Sequence, residues 1–266
     1  MMTMTIADPI GASVRAEVEA RLRAIEEEQD VRFLLAIESG SRAWGFPSPD
    51  SDYDIRFVYV RRRDWYLSLT PGRDVIETPI MDEIDLNGWD IRKALALLLK
   101  SNAVIGEWIE SPIRYRPDHP VVTRLAALAD AVLDPRALAH HYASLGRHAA
   151  DRWLNGEGPV AVKRYFYALR PALAIRCLRR APERRPPMNL QALIAASDVP
   201  AALAEDIARL VEAKRLTNER SNAMRVPALD RMIRDELARV GEVPARRADP
   251  ALVAKAEALF LELVNT

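Results

Sequence analysis

The sequence predicts an α+β fold: a small mixed β-sheet with flanking helices, followed by an all-helical C-terminal region. Three observations predict it. Strand-like apolar segments are confined to the stretch before residue 90. From Pro120 onward, apolar residues recur three and four apart, the period of an amphipathic helix. Pro135, Pro159, Pro200, Pro227 and Pro250 stand where successive helices would open, a position Pro favours because its fixed φ suits the first turn.

The elements follow in order. Ala12–Glu28 reads as an amphipathic helix, and Arg32–Ile37 as the first strand. Further strands are expected at Asp52–Val60, around 74–77 and around 80–86, with a short helical turn from Asp64 to Leu69. Along the second strand Tyr53, Ile55, Phe57 and Tyr59 alternate onto one core-facing side. Ile91–Lys100, rich in Ala and Leu, is a helix with Asp90 as its N-cap. Val104–Glu110 forms a second helix, Arg114–Pro117 a short extended piece, and Ala181–Pro187 a loop rich in Pro and Arg. There is no internal repeat and no low-complexity tract.

The chain has 266 residues, 49% of them hydrophobic and 29% charged, the balance of an ordinary globular protein rather than a disordered one. Its only cysteine, Cys177, excludes an intrachain disulfide or a Cys-rich zinc site and fits a reducing cytoplasm. The N-terminal stretch MMTMTIADPIGASVRAEVEA lacks a basic segment followed by an apolar one, which argues against export. No apolar run approaches the ~20 residues that span a membrane, so no membrane partner is expected. Net charge is zero, but residues 1–135 carry −7 and residues 136–266 carry +7. That asymmetry fits a protein gripping a polyanion with its second half, and an electrostatic contact between the halves fits it as well. Arg176, Arg179, Arg180, Arg184 and Arg185 form the densest basic cluster. They read either as contacts to a nucleic-acid backbone or as a solvated helix end facing the C-terminal dipole.

The chemistry concentrates in Ile37-Glu38-Ser39-Gly40-Ser41 and, after ten intervening residues, Asp52-Tyr53-Asp54-Ile55. A Gly-Ser turn leaves an apolar strand, and an Asp-x-Asp pair enters the next. Residues two apart on a strand share a face, so Asp52 and Asp54 point the same way. Adjacent carboxylates repel unless a cation lies between them, and the natural occupant is one or two divalent ions. Backbone N–H groups and the hydroxyl of the turn suit phosphates. Asp50-x-Asp52-x-Asp54 begins like an EF-hand loop, but Ile55 and Arg61 occupy the positions that require Gly and Glu. Asp50 and Ser51 read as turn residues. For a third carboxylate on a later strand, Asp82, Glu83, Asp85 and Asp90 are close in sequence, and only Asp85 is flanked by strand-like Ile84 and Leu86. Glu83, two residues away on the same expected strand face, is the fallback, and Glu77 a weaker candidate.

Gly-Ser, ten residues, Asp-x-Asp and a later third acid together resemble the polymerase beta-type nucleotidyltransferase superfamily. The strings ESGSRAWGFPSPDSDYDIRFVYV, DLNGWDIRKALALLLKSN, EWIESPI and KRYFYALRPALA resemble more closely a bacterial and phage family of predicted nucleotidyltransferases associated with RNA repair, over most of positions 33–175. The resemblance implies transfer of a nucleoside monophosphate from a nucleoside triphosphate to an acceptor hydroxyl, with release of pyrophosphate. It implies two Mg²⁺ ions, with Mn²⁺ as a substitute, held by Asp52, Asp54 and Asp85. The expected acceptor is an RNA end. Small-molecule or protein acceptors, and a non-catalytic nucleotide- or RNA-binding protein on the same fold, are the alternatives. A nucleotidyltransferase domain would then occupy 1–118 and a helical nucleotide- and acceptor-binding domain 119–266. Gly40 and Ser41 are expected at the phosphates. Arg42 reads as a phosphate contact or a charge partner, and Arg56 as a group that steadies a carboxylate or reaches the nucleotide. Lys163, Tyr167 and Arg170 share a helix face. In related enzymes such a helix meets the triphosphate; otherwise the stripe faces solvent. Trp44 and Phe46 read as base-stacking or packing residues.

Overall fold

A computed structural model describes residues 10–70, 72–151, 153–156, 158–218, 221–247 and 249–266. The first nine positions of the N-terminal stretch MMTMTIADPIGASVRAEVEA therefore lie outside the described residues. The chain opens with α1 (Ala12–Gln29), β1 (Val31–Glu38), the short α2 (Gly40–Trp44), β2 (Tyr53–Arg61) and the single turn α3 (Arg63–Tyr66). Next come β3 (Val75–Glu77), β4 (Ile84–Asp90), α4 (Ile91–Leu98), α5 (Ala103–Glu110), α6 (Val121–Ala131) and α7 (Pro135–Ala150). The remainder is β5 (Val160–Ala161), α8 (Val162–Arg180), α9 (Leu190–Ala196), α10 (Ala201–Arg215), β6 (Asn222–Ala223), α11 (Pro227–Ala238) and α12 (Ala251–Val264).

The main sheet has the order β1-β2-β4-β3. β1 pairs antiparallel with β2, β2 parallel with β4, and β3 antiparallel with β4, so the sheet is mixed. Alternation along β2 divides its side chains as expected. Ile55, Phe57 and Tyr59 join Val18, Leu22 and Ile25 of α1 in one apolar cluster. Val58 and Val60 face the other way, into a second cluster with α4, α5, α6 and α12. Asp54 and Arg56 alternate onto this second face, are half-buried and lie outside its apolar cluster. A third core joins α7, α8, α9, α10 and α11 to Phe46 and Ala103.

Local chemistry explains the boundaries. Asp90 caps α4, accepting from Arg92 N at 2.8 Å, and Asn102 and Asp134 cap α5 and α7 in the same way. Pro135 and Pro227 occupy first-turn positions of α7 and α11, while Pro200 and Pro250 are the N-caps of α10 and α12. Pro159 instead precedes β5, which pairs antiparallel with β6, so a two-stranded ladder interrupts the otherwise helical C-terminal region. Strand β4 also runs later than the expected 80–86. Asp82 and Glu83 adopt left-handed backbone (φ 55° and 61°), which closes a turn and delays the strand to Ile84. Among the described residues no helix is long and apolar enough to cross a membrane.

Candidate active site

The site is built where β1 ends, α2 begins and β2 starts. Glu38 N donates to Ile113 O at 3.1 Å, and Ser39 N donates to Asp54 O at 2.8 Å, which ties the start of the turn to β2. Gly40 then takes φ +55°, a left-handed conformation that costs glycine nothing. A side chain there would collide with Asp54, since a Cβ would stand 1.8 Å from Asp54 Oδ2. Ser41 is buried in the following turn. The loop from Gly45 to Asp52 is clamped from outside: Gln191 Nε2 donates to Gly45 O at 3.0 Å, and the buried Lys214 donates to Ser48 Oγ at 3.1 Å.

Parallel pairing sets Asp54 opposite Asp85. Both carboxylates meet the Arg56 guanidinium, Asp54 Oδ1 at 2.9 Å and Asp85 Oδ2 at 2.7 Å from Nη2. Arg56 Nη1 adds bonds to the carbonyls of Ile55 and Asp85, each at 3.0 Å. Burial raises the Asp54 carboxyl above its ordinary value; Arg56 opposes that, Asp85 and Asp52 add to it, and Lys163 opposes it from α8. Asp52 lies just before β2 rather than inside it, exposed, with its field still reaching Asp54. Glu83 is not on the strand face of Asp85: its left-handed backbone belongs to the turn, where its carbonyl accepts from Tyr53 N at 2.7 Å.

Asp54 and Asp85 converge on one cation, and the tight approach of Gly40 keeps the Asp54 carboxylate in place, so this pair fits a divalent ion. Asp52 stands beside the pair but does not complete a cage: among the described residues no group of three His, Cys, Asp or Glu side chains is placed to hold a metal ion.

Beyond Ser39 opens a cavity of about 530 Å³ between α2, α5, α7 and α8. Lys163, Tyr167 and Arg170 all line it, together with Trp44, Glu107 and Tyr142. The expected shared face of α8 thus lines a cleft, with Arg170 buried and Tyr167 still open to solvent. Arg170 is buried, pairing with Glu107 at 2.9 Å, donating to Met188 O at 3.1 Å and lying over the Trp44 ring at 4.2 Å. Tyr167 meets Trp44 edge-on at 5.3 Å. Phe46 is packed, stacked on Phe166 at 4.5 Å and wholly buried. Arg42 holds the loop, donating to Ser51 O at 2.6 Å and Asp52 O at 3.2 Å while stacking on Tyr53 at 3.9 Å. The arginine cluster of α8 and its following loop is occupied by acids. Arg176 and Arg179 meet the buried Glu236, Arg180 meets Asp198, Arg184 meets Glu183, and Arg185 meets Glu110 and Asp130.

Two carboxylates near the site, Glu38 and Glu107, carry no sequence motif of their own. Glu38 is fully buried directly beneath the site, accepting from Asp54 N at 3.0 Å and from Tyr115 Oη at 2.6 Å, and burial pushes its carboxyl up to about 7. Glu107 joins four helices: it accepts from Arg170 of α8, from Tyr142 of α7 at 3.1 Å and from Trp44 of α2 at 3.2 Å, itself lying on α5. The available signal was position alone, since Glu38 directly precedes the Gly-Ser turn and Glu107 sits among apolar residues of a short helix.

The chain is 38% identical over 221 residues to the uncharacterized protein YcgL of Bacillus subtilis (strain 168), covering 83% of this chain and 84% of that one. Residues 14–262 match the family RlaP, described as the RNA repair pathway DNA polymerase beta family. With nearly the whole chain matched, from α1 to α12, the protein belongs to the RNA repair pathway DNA polymerase beta family.

Proposed function

We propose that the protein is a metal-dependent nucleotidyltransferase that moves a nucleoside monophosphate from a nucleoside triphosphate to a hydroxyl at an RNA end. The observation that carries this reading is the in-register pair Asp54 and Asp85, meeting on one cation beside a cleft lined by Lys163. The polymerase beta and RNA-repair description of its family supports both the reaction class and the acceptor.

Held by Asp54 and Asp85, with Asp52 alongside, Mg²⁺ would supply Lewis acidity for the acceptor oxygen and for the departing phosphate charge. The residues do the rest by position and charge. Lys163 draws the triphosphate toward the carboxylates, and the turn at Gly40 and Ser41 lets backbone approach the phosphates. Trp44 and Tyr167 give the cleft aromatic faces against which a base can stack. The acceptor oxygen bonds to the α-phosphorus, the bond from that phosphorus to the oxygen bridging toward the β-phosphate breaks, pyrophosphate departs and the hydroxyl proton leaves to solvent or a carboxylate.

The test incubates purified protein with Mg²⁺, each α-labelled nucleoside triphosphate and a mixture of tRNA and short RNA, beside an Asp54→Ala/Asp85→Ala control. Label entering RNA with the native protein alone supports the reading. Label on the protein itself would replace RNA by a protein hydroxyl as acceptor. Absence of transfer together with absence of triphosphate binding would remove the enzyme reading.

A further inference from the structure

The Arg56 guanidinium occupies the fork between the two acids that the proposed reaction assigns to metal. A single nitrogen, Nη2, bonds to Asp54 Oδ1 at 2.9 Å and Asp85 Oδ2 at 2.7 Å. Nη1 anchors the same plane on the carbonyls of Ile55 and Asp85. The side chain is only 18% exposed, so this is a seated group and not a surface pair. Arginine keeps its charge at any physiological pH and has donors only, so it cannot coordinate a metal and would repel one. Mg²⁺ takes its ligands at ~2.0–2.1 Å. An ion bound to the two oxygens now bonded to Nη2 would stand against that nitrogen, and both cations cannot fit. Two carboxylates and one guanidinium still leave one negative charge, to which Asp52 adds its field, so the fork favours a doubly charged ion once the arginine has another partner.

We propose that Arg56 is an internal counter-ion that must leave the Asp54–Asp85 fork for a divalent cation to enter, so that metal loading and release of Arg56 are one event. This rests on the nucleotidyltransferase reading of the site. Its consequence is an order of binding. A triphosphate beside the fork offers the departing guanidinium phosphate oxygens in exchange for carboxylates, a bidentate match for arginine. Metal bound to nucleotide therefore loads more readily than free metal, and the bare protein holds its carboxylates together without an ion. Arg56 is in this sense a positioning residue for the metal ligands.

The experiment measures Mn²⁺ binding directly, by calorimetry and by electron paramagnetic resonance at pH 8, in the full-length native protein, Arg56→Gln and Arg56→Lys, with circular dichroism to establish folding. Arg56→Gln should bind free Mn²⁺ about tenfold more tightly than the native protein, because no charged hydrogen bonds have to be broken. Arg56→Lys, which keeps the charge and loses the fork, should fall between. A non-hydrolysable triphosphate should narrow the difference. Equal or weaker Mn²⁺ binding by a folded Arg56→Gln protein would overturn the inference and leave the enzyme reading standing. Absence of Mn²⁺ binding in native and variant proteins alike, with or without triphosphate, would overturn the metal-dependent reading and the inference with it. A measurement on the native protein does not depend on variant folding. The Arg56 Nε–H resonance should move on Mg²⁺ addition in the presence of triphosphate, and a resonance that stays fixed while metal binds would also overturn the inference.

Discussion

Gly40 and Asp54 approach so closely that the width of one methyl group separates a seated carboxylate from a displaced one. A Cβ at position 40 would lie 1.8 Å from Asp54 Oδ2 and 2.7 Å from its Cγ. Gly40→Ala should therefore cost more in transfer than its backbone strain costs in stability. Left-handed backbone at a non-glycine residue costs roughly 1–2 kcal/mol, whereas a catalytic group shifted by ~1 Å can cost about 100-fold in rate. Turnover and urea midpoints measured side by side check this; equal proportional losses would contradict it.

Glu38 makes stability depend on pH. Burial lifts its folded-state carboxyl from 4.5 to about 7, so the folded protein holds that proton more tightly than the unfolded chain does. The stability it contributes is complete below about pH 4.5, declines as pH rises toward 7 and is gone above that. At ~1.36 kcal/mol for each pH unit between the two values, the span is of the order of 3 kcal/mol. Glu38→Gln should flatten this part of the profile and leave the protein more stable than the native form at pH 8. Unfolding curves from pH 4.5 to 8 for both proteins measure the difference directly.

The Glu107–Arg170 pair is buried on both sides, with side chains 11% and 7% exposed. Removing one partner strands the other charge, which typically costs about 3–5 kcal/mol. Glu107→Ala should therefore destabilise strongly, and Glu107→Ala/Arg170→Met should recover part of the loss. Because Glu107 also holds Trp44 and Tyr142, triphosphate affinity should fall even in the recovered double variant. Thermal unfolding and nucleotide titration together separate the two effects.

Lys163 lowers the Asp54 carboxyl and, in the proposed reaction, also meets the incoming triphosphate. Loss of a charged hydrogen bond to phosphate should raise KM for the triphosphate roughly 10- to 100-fold in Lys163→Ala. The ammonium also holds the Asp54 carboxyl down. Without it that carboxyl rises further, so the acid limb of the pH–rate profile should move to higher pH. Lys163→Arg should restore the limb, and a limb that stays in place would show that the two groups are not coupled.

What the sequence carried and what it hid follow from the range of the interactions involved. The alternation of Ile55, Phe57 and Tyr59, the cap at Asp90 and the first-turn prolines Pro135 and Pro227 are governed within a few residues, and all were legible. The shared face of Lys163, Tyr167 and Arg170 was legible as periodicity, but its direction depended on α5 and α7 packing against α8. Glu83 misled because two consecutive non-glycine residues take left-handed backbone, a choice made by the turn and invisible in composition. The β5–β6 ladder joins residues about sixty apart through two pairs, too short for any alternation to register. The roles of Glu38 and Glu107 arise from partners such as Tyr115 and Arg170, each more than sixty residues distant. A buried carboxylate is defined by what surrounds it, and that information lay elsewhere in the chain.

Leu252, Ala256, Leu259 and Leu263 of α12 complete the apolar cluster on the face of the sheet that includes Leu34, Val58 and Val60. Some two hundred residues therefore leave the ribosome between the strands and the helix that shields them. Throughout that interval the part of this face that α12 covers, beside α4, α5 and α6, stays wet and adhesive, and contacts of such long sequence separation form slowly. Chains interrupted before α12 would carry the complete set of candidate catalytic residues on a sheet with an uncovered flank. Quality-control proteases and holdase chaperones, rather than loss of chemistry, would decide the fate of such fragments.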